Sequence, residues 1–182
     1  MMAEIWELYD AEGRKTGETL TRGEPLPEER YHLAVEVWVT VGGRVLVTKR
    51  DPAKEWMGGF WEVPGGGVLA GESAASAASR ELYEEAGVIC DPSELLLLGR
   101  ERVGSCIVES YLLCRSDTPA VSLQPGETVD YALTLPGDYP LTDREPTKEE
   151  LDRFGLRATP GTLRRMASYG IRKYAAEDTR LP

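Results

Sequence analysis

Three glutamates, Glu81, Glu84 and Glu85, stand at positions i, i+3 and i+4 of the run Arg80-Glu81-Leu82-Tyr83-Glu84-Glu85-Ala86-Gly87-Val88. Residues so spaced share one face of a helix, and their carboxylate oxygens can converge. Like charges ~5 Å apart repel by roughly 3 kcal/mol at an effective dielectric of ~20. On a freely hydrated helix face the cost falls to a few tenths of a kcal/mol, so repulsion alone decides nothing. A hard divalent cation turns that repulsion into attraction, and an all-oxygen donor set suits Mg²⁺, Mn²⁺ or Ca²⁺. The glycine-rich turn expected at Pro64-Gly65-Gly66-Gly67 adds backbone dipoles beside the acids. The pattern points to a metal-and-phosphate site, against the competing reading of a solvated acidic face.

The acids need a helix, and its ends are written locally. Ser73 is an N-cap, the Ala-rich run 74–86 has high helix propensity, and Gly87 supplies the left-handed residue that ends it. Ala75, Ala78, Leu82 and Ala86 form the expected apolar stripe, about 110° round from the acids. Ahead of the helix, Leu33 to Val41 alternates with period two, Gly42-Gly43 makes a two-residue turn, and Arg44 to Lys49 returns. Segment 51–59 reads as a loop and 60–63 as a short strand. Ile5 to Tyr9 and Lys15 to Leu20 read as a hairpin, and 95–102 with 106–114 as paired strands. Segment 117–126 reads as a mobile loop, 127–135 as a strand, and 147–154 and 162–176 as helices. This order predicts an α+β sandwich. The 182 residues suit one domain: hairpin and connector 1–30, core 31–155, and a C-terminal helical segment 156–182.

Composition narrows the partners. A net charge of −10 disfavours a nucleic-acid surface, and an acidic protein that binds anionic phosphates must recruit cations. The N-terminus lacks the basic and apolar regions of a signal peptide, and no apolar run approaches the ~20 residues of a membrane span. Cys90, Cys106 and Cys114 have neither disulfide nor zinc-site spacing. The expectation is a cytoplasmic protein with reduced thiols and no membrane partner.

Residues 66–88 match G-x5-E-x7-R-E-U-x-E-E-x-G-U, with U a bulky aliphatic residue. Gly66, Glu72, Arg80, Glu81, Leu82, Glu84, Glu85, Gly87 and Val88 fill every specified place. The chain therefore resembles the Nudix hydrolases, and the looser likeness in element order runs over most of 31–155. The resemblance implies an α/β/α sandwich with a mixed sheet. It also implies hydrolysis of a diphosphate linkage in a nucleoside diphosphate derivative or related compound, with Mg²⁺ or Mn²⁺ as cofactor, and leaves a homodimer open.

Within that frame Glu84 and Glu85 are the expected metal ligands, and Glu81 is a third ligand or a base. Gly66 either lends its carbonyl to the metal or opens a tight turn. Glu72 and Arg80 are expected to pair and orient the loop ahead of the helix. Family members place the base in the box or on a later loop or strand; Glu127 is the later candidate, with Glu109 behind it, and Glu127 reads equally as a surface residue at a strand start. Lys49 and Arg50 either meet phosphate or end a strand in water. Trp56, Phe60, Trp61 and Trp38 could stack a nucleobase, although such residues more often fill a core, and Trp61 is assigned there. His32, the only histidine, reads as structural.

Substrate signatures outside the box are mostly missing. Val103-Gly104-Ser105 stands where ADP-ribose-type members carry Ser-Pro-Gly, and Tyr111 lies too far along for a diadenosine-polyphosphate type. Glu55 and Val63 depart from the coenzyme A pattern. Glu4-Ile5-Trp6-Glu7-Leu8-Tyr9-Asp10 and Tyr31-His32-Leu33 are similar to the isopentenyl-diphosphate-isomerase-like branch. Residues 60–67 lack that isomerase's Cys, and one His cannot supply its ligands, so hydrolysis on that scaffold is the expectation. The alternatives are a non-catalytic nucleotide-binding or regulatory domain and, further off, the isomerase.

Overall fold

The computed structural model describes residues 3–55 and 57–134. The helices expected at 147–154 and 162–176, and Trp56, lie outside the described residues.

The N-terminal hairpin forms as β1 (Ile5–Tyr9) and β2 (Lys15–Thr21). The long alternating pair forms as β3 (Tyr31–Val41) and β4 (Arg44–Arg50). Gly42 and Gly43 both take positive φ, 55° and 75°, as a hairpin turn matched to strand twist requires. Strands β5 (Trp61–Glu62) and β6 (Gly65–Gly67) precede the helix α1 (Ala74–Ala86). After it come β7 (Leu96–Val103), β8 (Cys106–Arg115) and β9 (Thr128–Thr134).

β3 is the hub of one mixed sheet. It runs parallel to β8 from His32 opposite Cys106 to Val41 opposite Arg115, and antiparallel to β1, β6 and β4 at successive places along its length. β4 pairs antiparallel with β5 and β9, and β7 with β8. Alternation sorts the side chains between two cores. Val35, Val37, Val39 and Leu46 face α1, whereas Trp38, Val45, Val47 and Leu112 pack on the opposite face. Trp38 is 2% exposed, so its ring is core and offers no stacking surface.

Ser73 caps α1 by accepting from the Ser76 amide, and Gly87 closes it at φ 67°. The stripe that meets the sheet is Ala77, Ala78, Leu82 and Ala86; Ala75 is only partly buried. Small side chains at 77, 78 and 86 let the helix lie close to β3, and burial extends round the helix to Glu85.

The glycine-rich stretch is a strand, not the expected turn. Gly65, Gly66 and Gly67 pair with Glu36, Val35 and Ala34, and none has positive φ. Crowding, not backbone freedom, selects glycine here. A Cβ on Gly65 would lie under 3.0 Å from the Val35 carbonyl, and one on Gly66 equally close to the Glu81 carboxylate. Segment 117–126 carries no helix or strand, yet it is tied to the fold: the Ser122 amide donates to the Ala86 carbonyl at 2.8 Å.

Candidate active site

Arg80 lies at the middle of the site. Its Nε and Nη2 fork onto Glu72 at 3.0 and 2.9 Å, the bidentate geometry that suits a guanidinium and a carboxylate. Nη1 donates to Glu81 at 2.7 Å and to Glu84 at 3.1 Å, while Nη2 also reaches the Gly67 carbonyl at 3.0 Å. Glu72 accepts in turn from the Leu69 amide, so the pair ties the loop to the helix. Burial works against Arg80's charge, but its bonds to Glu72 and Glu81 outweigh it and raise the pKa.

Glu85 is 6% exposed, and its carboxylate accepts from the Gly65 amide at 3.0 Å. Burial raises its pKa well above the usual carboxylate value; the Glu62 charge adds to the rise, and the Gly65 bond opposes it. Burial also raises Glu81, with Arg80 opposing and Glu84 adding. Among the described residues no three acids close round a single point. Glu81 and Glu84 instead share one guanidinium nitrogen, and Glu85 turns to the β6 backbone, because those are the positive groups within reach.

A second half of the site stands on β4, β5 and the turn before β9. Arg50 Nη1 donates to Glu62 at 3.3 Å. Burial raises Glu62, Arg50 opposes, and Glu127 adds to the rise. Glu127 forms an ion pair with Lys54, and its carbonyl accepts from the Asp51 amide at 2.8 Å. The next residue, Thr128, is 3% exposed and donates its hydroxyl to the Glu85 carbonyl at 2.9 Å. Among the described residues, six carboxylates (Glu62, Glu72, Glu81, Glu84, Glu85, Glu127) thus meet three cations (Arg50, Lys54, Arg80).

That surplus of hard oxygen donors fits Mg²⁺ or Mn²⁺ in chemistry. Gly66 fits it too, since the space a Cβ would need is filled by the Glu81 carboxylate.

The NUDIX domain family model matches residues 30–154. The chain belongs to that family. A stretch of 92 residues, 50% of the chain, is 36% identical to an uncharacterised Nudix hydrolase of Listeria monocytogenes and covers 54% of it. Over 63 residues, 35% of the chain, identity is 38% to an 8-oxo-dGTP diphosphatase of Proteus vulgaris, 55% of whose length is covered. The chain thus spans about half the length of each of these relatives. The crystal structure of a Deinococcus radiodurans protein superposes with a TM-score of 0.58 at 21% identity, over 74% of this chain and 85% of that one. That likeness is one of fold, and the mixed sheet with α1 on one face agrees with it.

Against this Nudix frame the expected residues fall unevenly. Glu72, Arg80, Glu81, Glu84 and Glu85 come together, and Gly66 lies against Glu81. Arg50 and Glu127 join them across Glu62. Lys49 does not. It is next to Arg50 in sequence but on the other face of β4, with its ammonium 5.7 Å from the Trp61 ring centre. Glu109 lies on β8, across β3 from Gly66, and is held by the Tyr111 hydroxyl at 2.7 Å and by Arg100 at 3.6 Å. Phe60 is 4% exposed and belongs to the interior.

Sequence reasoning missed Glu62, Lys54, Thr128 and the Gly65 amide. Glu62 joins the site only through the pairing of β5 with β4. Lys54 and Thr128 had no readable signal, because both depend on the long-range pairing of β4 with β9.

Proposed function

We propose that this chain hydrolyses a diphosphate linkage in a nucleoside diphosphate derivative or related compound, by attack of water at phosphorus, with Mg²⁺ or Mn²⁺ as cofactor. The observation that carries the reading is the undamaged set of box acids, gathered round Arg80 and outnumbering the cations beside them among the described residues. The name of the Proteus vulgaris relative, 8-oxo-dGTP diphosphatase, supports a nucleotide substrate.

Glu84 and Glu85 would hold the metal, with Gly66 beside them and Glu81 as a third ligand or the base. When bound, such an ion neutralises diphosphate charge and lowers the pKa of a water. The chain's own residues do the rest. Arg80 holds Glu81 and Glu84 to one side of the helix and fixes the loop through Glu72 and Gly67. Arg50, steadied by Glu62, offers a guanidinium to phosphate oxygens. A carboxylate must accept the proton of the attacking water. Glu81 and Glu127 are the candidates, and each is ion-paired, Glu81 with Arg80 and Glu127 with Lys54. The substrate is thus a small molecule.

The experiment is a panel of nucleoside diphosphate derivatives incubated with Mg²⁺ or Mn²⁺, with phosphate-containing products assayed. Turnover that disappears in Glu84→Gln and Glu85→Gln is the expected result. Binding across the panel without turnover would replace the enzyme with a sensor.

A further inference from the structure

Residues 3–29 lie ahead of the stretch that the family model matches, yet β1 is laid along the loop that opens the box. We propose that Trp6 is a positioning residue for the reaction: its indole seats the Gly65–Gly67 strand and, through the Gly67 carbonyl, the guanidinium of Arg80. The proposal rests on the reading of the box as the reaction site.

The contacts form one continuous chain. The place a Cβ would take on Gly67 is 2.7 Å from Trp6 Nε1 and 3.2 Å from Cε2, so the indole edge lies directly on the strand. Backbone bonds hold the two segments together: the Ala70 amide donates to the Ile5 carbonyl at 2.7 Å, and Trp6 bridges to Leu69. Behind the indole, His32 stacks with ring centres 4.3 Å apart and planes 12° from parallel, and the Cys106 thiol sits 3.2 Å from His32 Nε2. On the far side of the strand, Gly67 passes the contact to Arg80, which bonds Glu81 and Glu84. Packed groups of this kind couple distant positions when an element has defined contacts on both sides.

The indole nitrogen supports a role beyond filling space. Trp6 Nε1 is buried with no hydrogen-bond partner among the described residues. Burying an N–H without an acceptor lowers stability, so a phenylalanine ring stacked on His32 would avoid that cost. What the indole adds is reach over Gly67.

Trp6→Phe keeps an aromatic ring against His32 and withdraws the edge that covers Gly67. Three measurements compare it with the wild type: kcat and KM on a turned-over compound, Mn²⁺ affinity by calorimetry, and amide exchange across 65–72. The expected result is a fall in kcat of roughly three- to thirtyfold with KM within about twofold, weaker Mn²⁺ binding, and faster exchange in that segment. A residue that only stabilised the fold would leave kcat of the folded protein unchanged well below its melting temperature. Wild-type kcat with wild-type Mn²⁺ affinity in Trp6→Phe overturns the proposal. If the wild type turns over nothing, the hydrolase reading fails by itself, while Mn²⁺ affinity and amide exchange still decide this one. Should Trp6→Phe not fold, Gly67→Ala probes the same contact from the strand side, and unchanged values there overturn it equally.

Discussion

Arg80 bonds three carboxylates and a carbonyl with one guanidinium, a set that no other cationic side chain can reproduce. Arg80→Lys keeps the charge and loses the fork. We expect a fall in kcat of roughly a hundredfold and a loss of about 2 kcal/mol in urea unfolding. Glu85 behaves in the opposite sense. Its folded pKa is raised, so the folded state holds the proton more tightly than the unfolded chain does. Stability from that linkage is present below the unfolded value, near pH 4.5, and is lost as pH rises through the folded one. In the presence of a chelator at pH 7.5, Glu85→Gln is therefore expected to be more stable than the wild type by on the order of 1 kcal/mol, although inactive; a less stable variant would show that Glu85 is not strained. His32 titrates the other way. Burial, with Arg22 adding, pushes its pKa from 6.5 down to about 4. The unfolded chain takes up a proton first, so stability falls as pH drops from 6.5 towards 4, by at most about 3 kcal/mol. Denaturant midpoints of His32→Gln should lack that slope between pH 7 and 4.5.

The elements differ in how far they could be read ahead. α1 was legible to the residue, from Ser73 to Gly87, because caps and propensity act within a few positions. The β3–β4 hairpin was legible in its turn glycines and alternation, which are equally local, although β3 starts two residues earlier, at Tyr31, and β4 ends one later, at Arg50. β6 was not, since three glycines carry no alternation and their strand exists only through the register with β3. The same limit explains Lys49 and Arg50, neighbours in sequence that β4 sends to opposite faces. It also explains Glu62, which becomes a site residue only once β5 pairs with β4. The glycine strand yields its own prediction. Gly65→Ala places a methyl against the Val35 backbone, which cannot move aside, and is expected to unfold the protein or cost about 3 kcal/mol or more. Gly66→Ala meets only the end of the Glu81 side chain, so it should remain folded by circular dichroism while its kcat drops. Equal stability losses in the two variants would show that backbone crowding does not select these glycines.

On the scale of the molecule, the sheet brings together at one end of α1 pieces from residues 50 to 128. Thr128 and Ser122 bond the carbonyls of Glu85 and Ala86, Glu127 pairs with Lys54, and Arg50 pairs with Glu62. Among the described residues negative charge is in excess there, on top of an overall −10 for the chain, an arrangement that repels an anion unless cations intervene. Among the described residues no helix is long and apolar enough to cross a membrane. The most direct test of the account is the thermal melt with and without Mg²⁺, for the wild type and for Glu85→Gln. Binding at about a hundred times Kd adds roughly 2.7 kcal/mol, which in a chain of this size raises the melting temperature by about 5–10 °C. The wild type is expected to show that rise and Glu85→Gln to lose it; equal shifts in both proteins, or none in the wild type, would rule out a metal site that depends on Glu85.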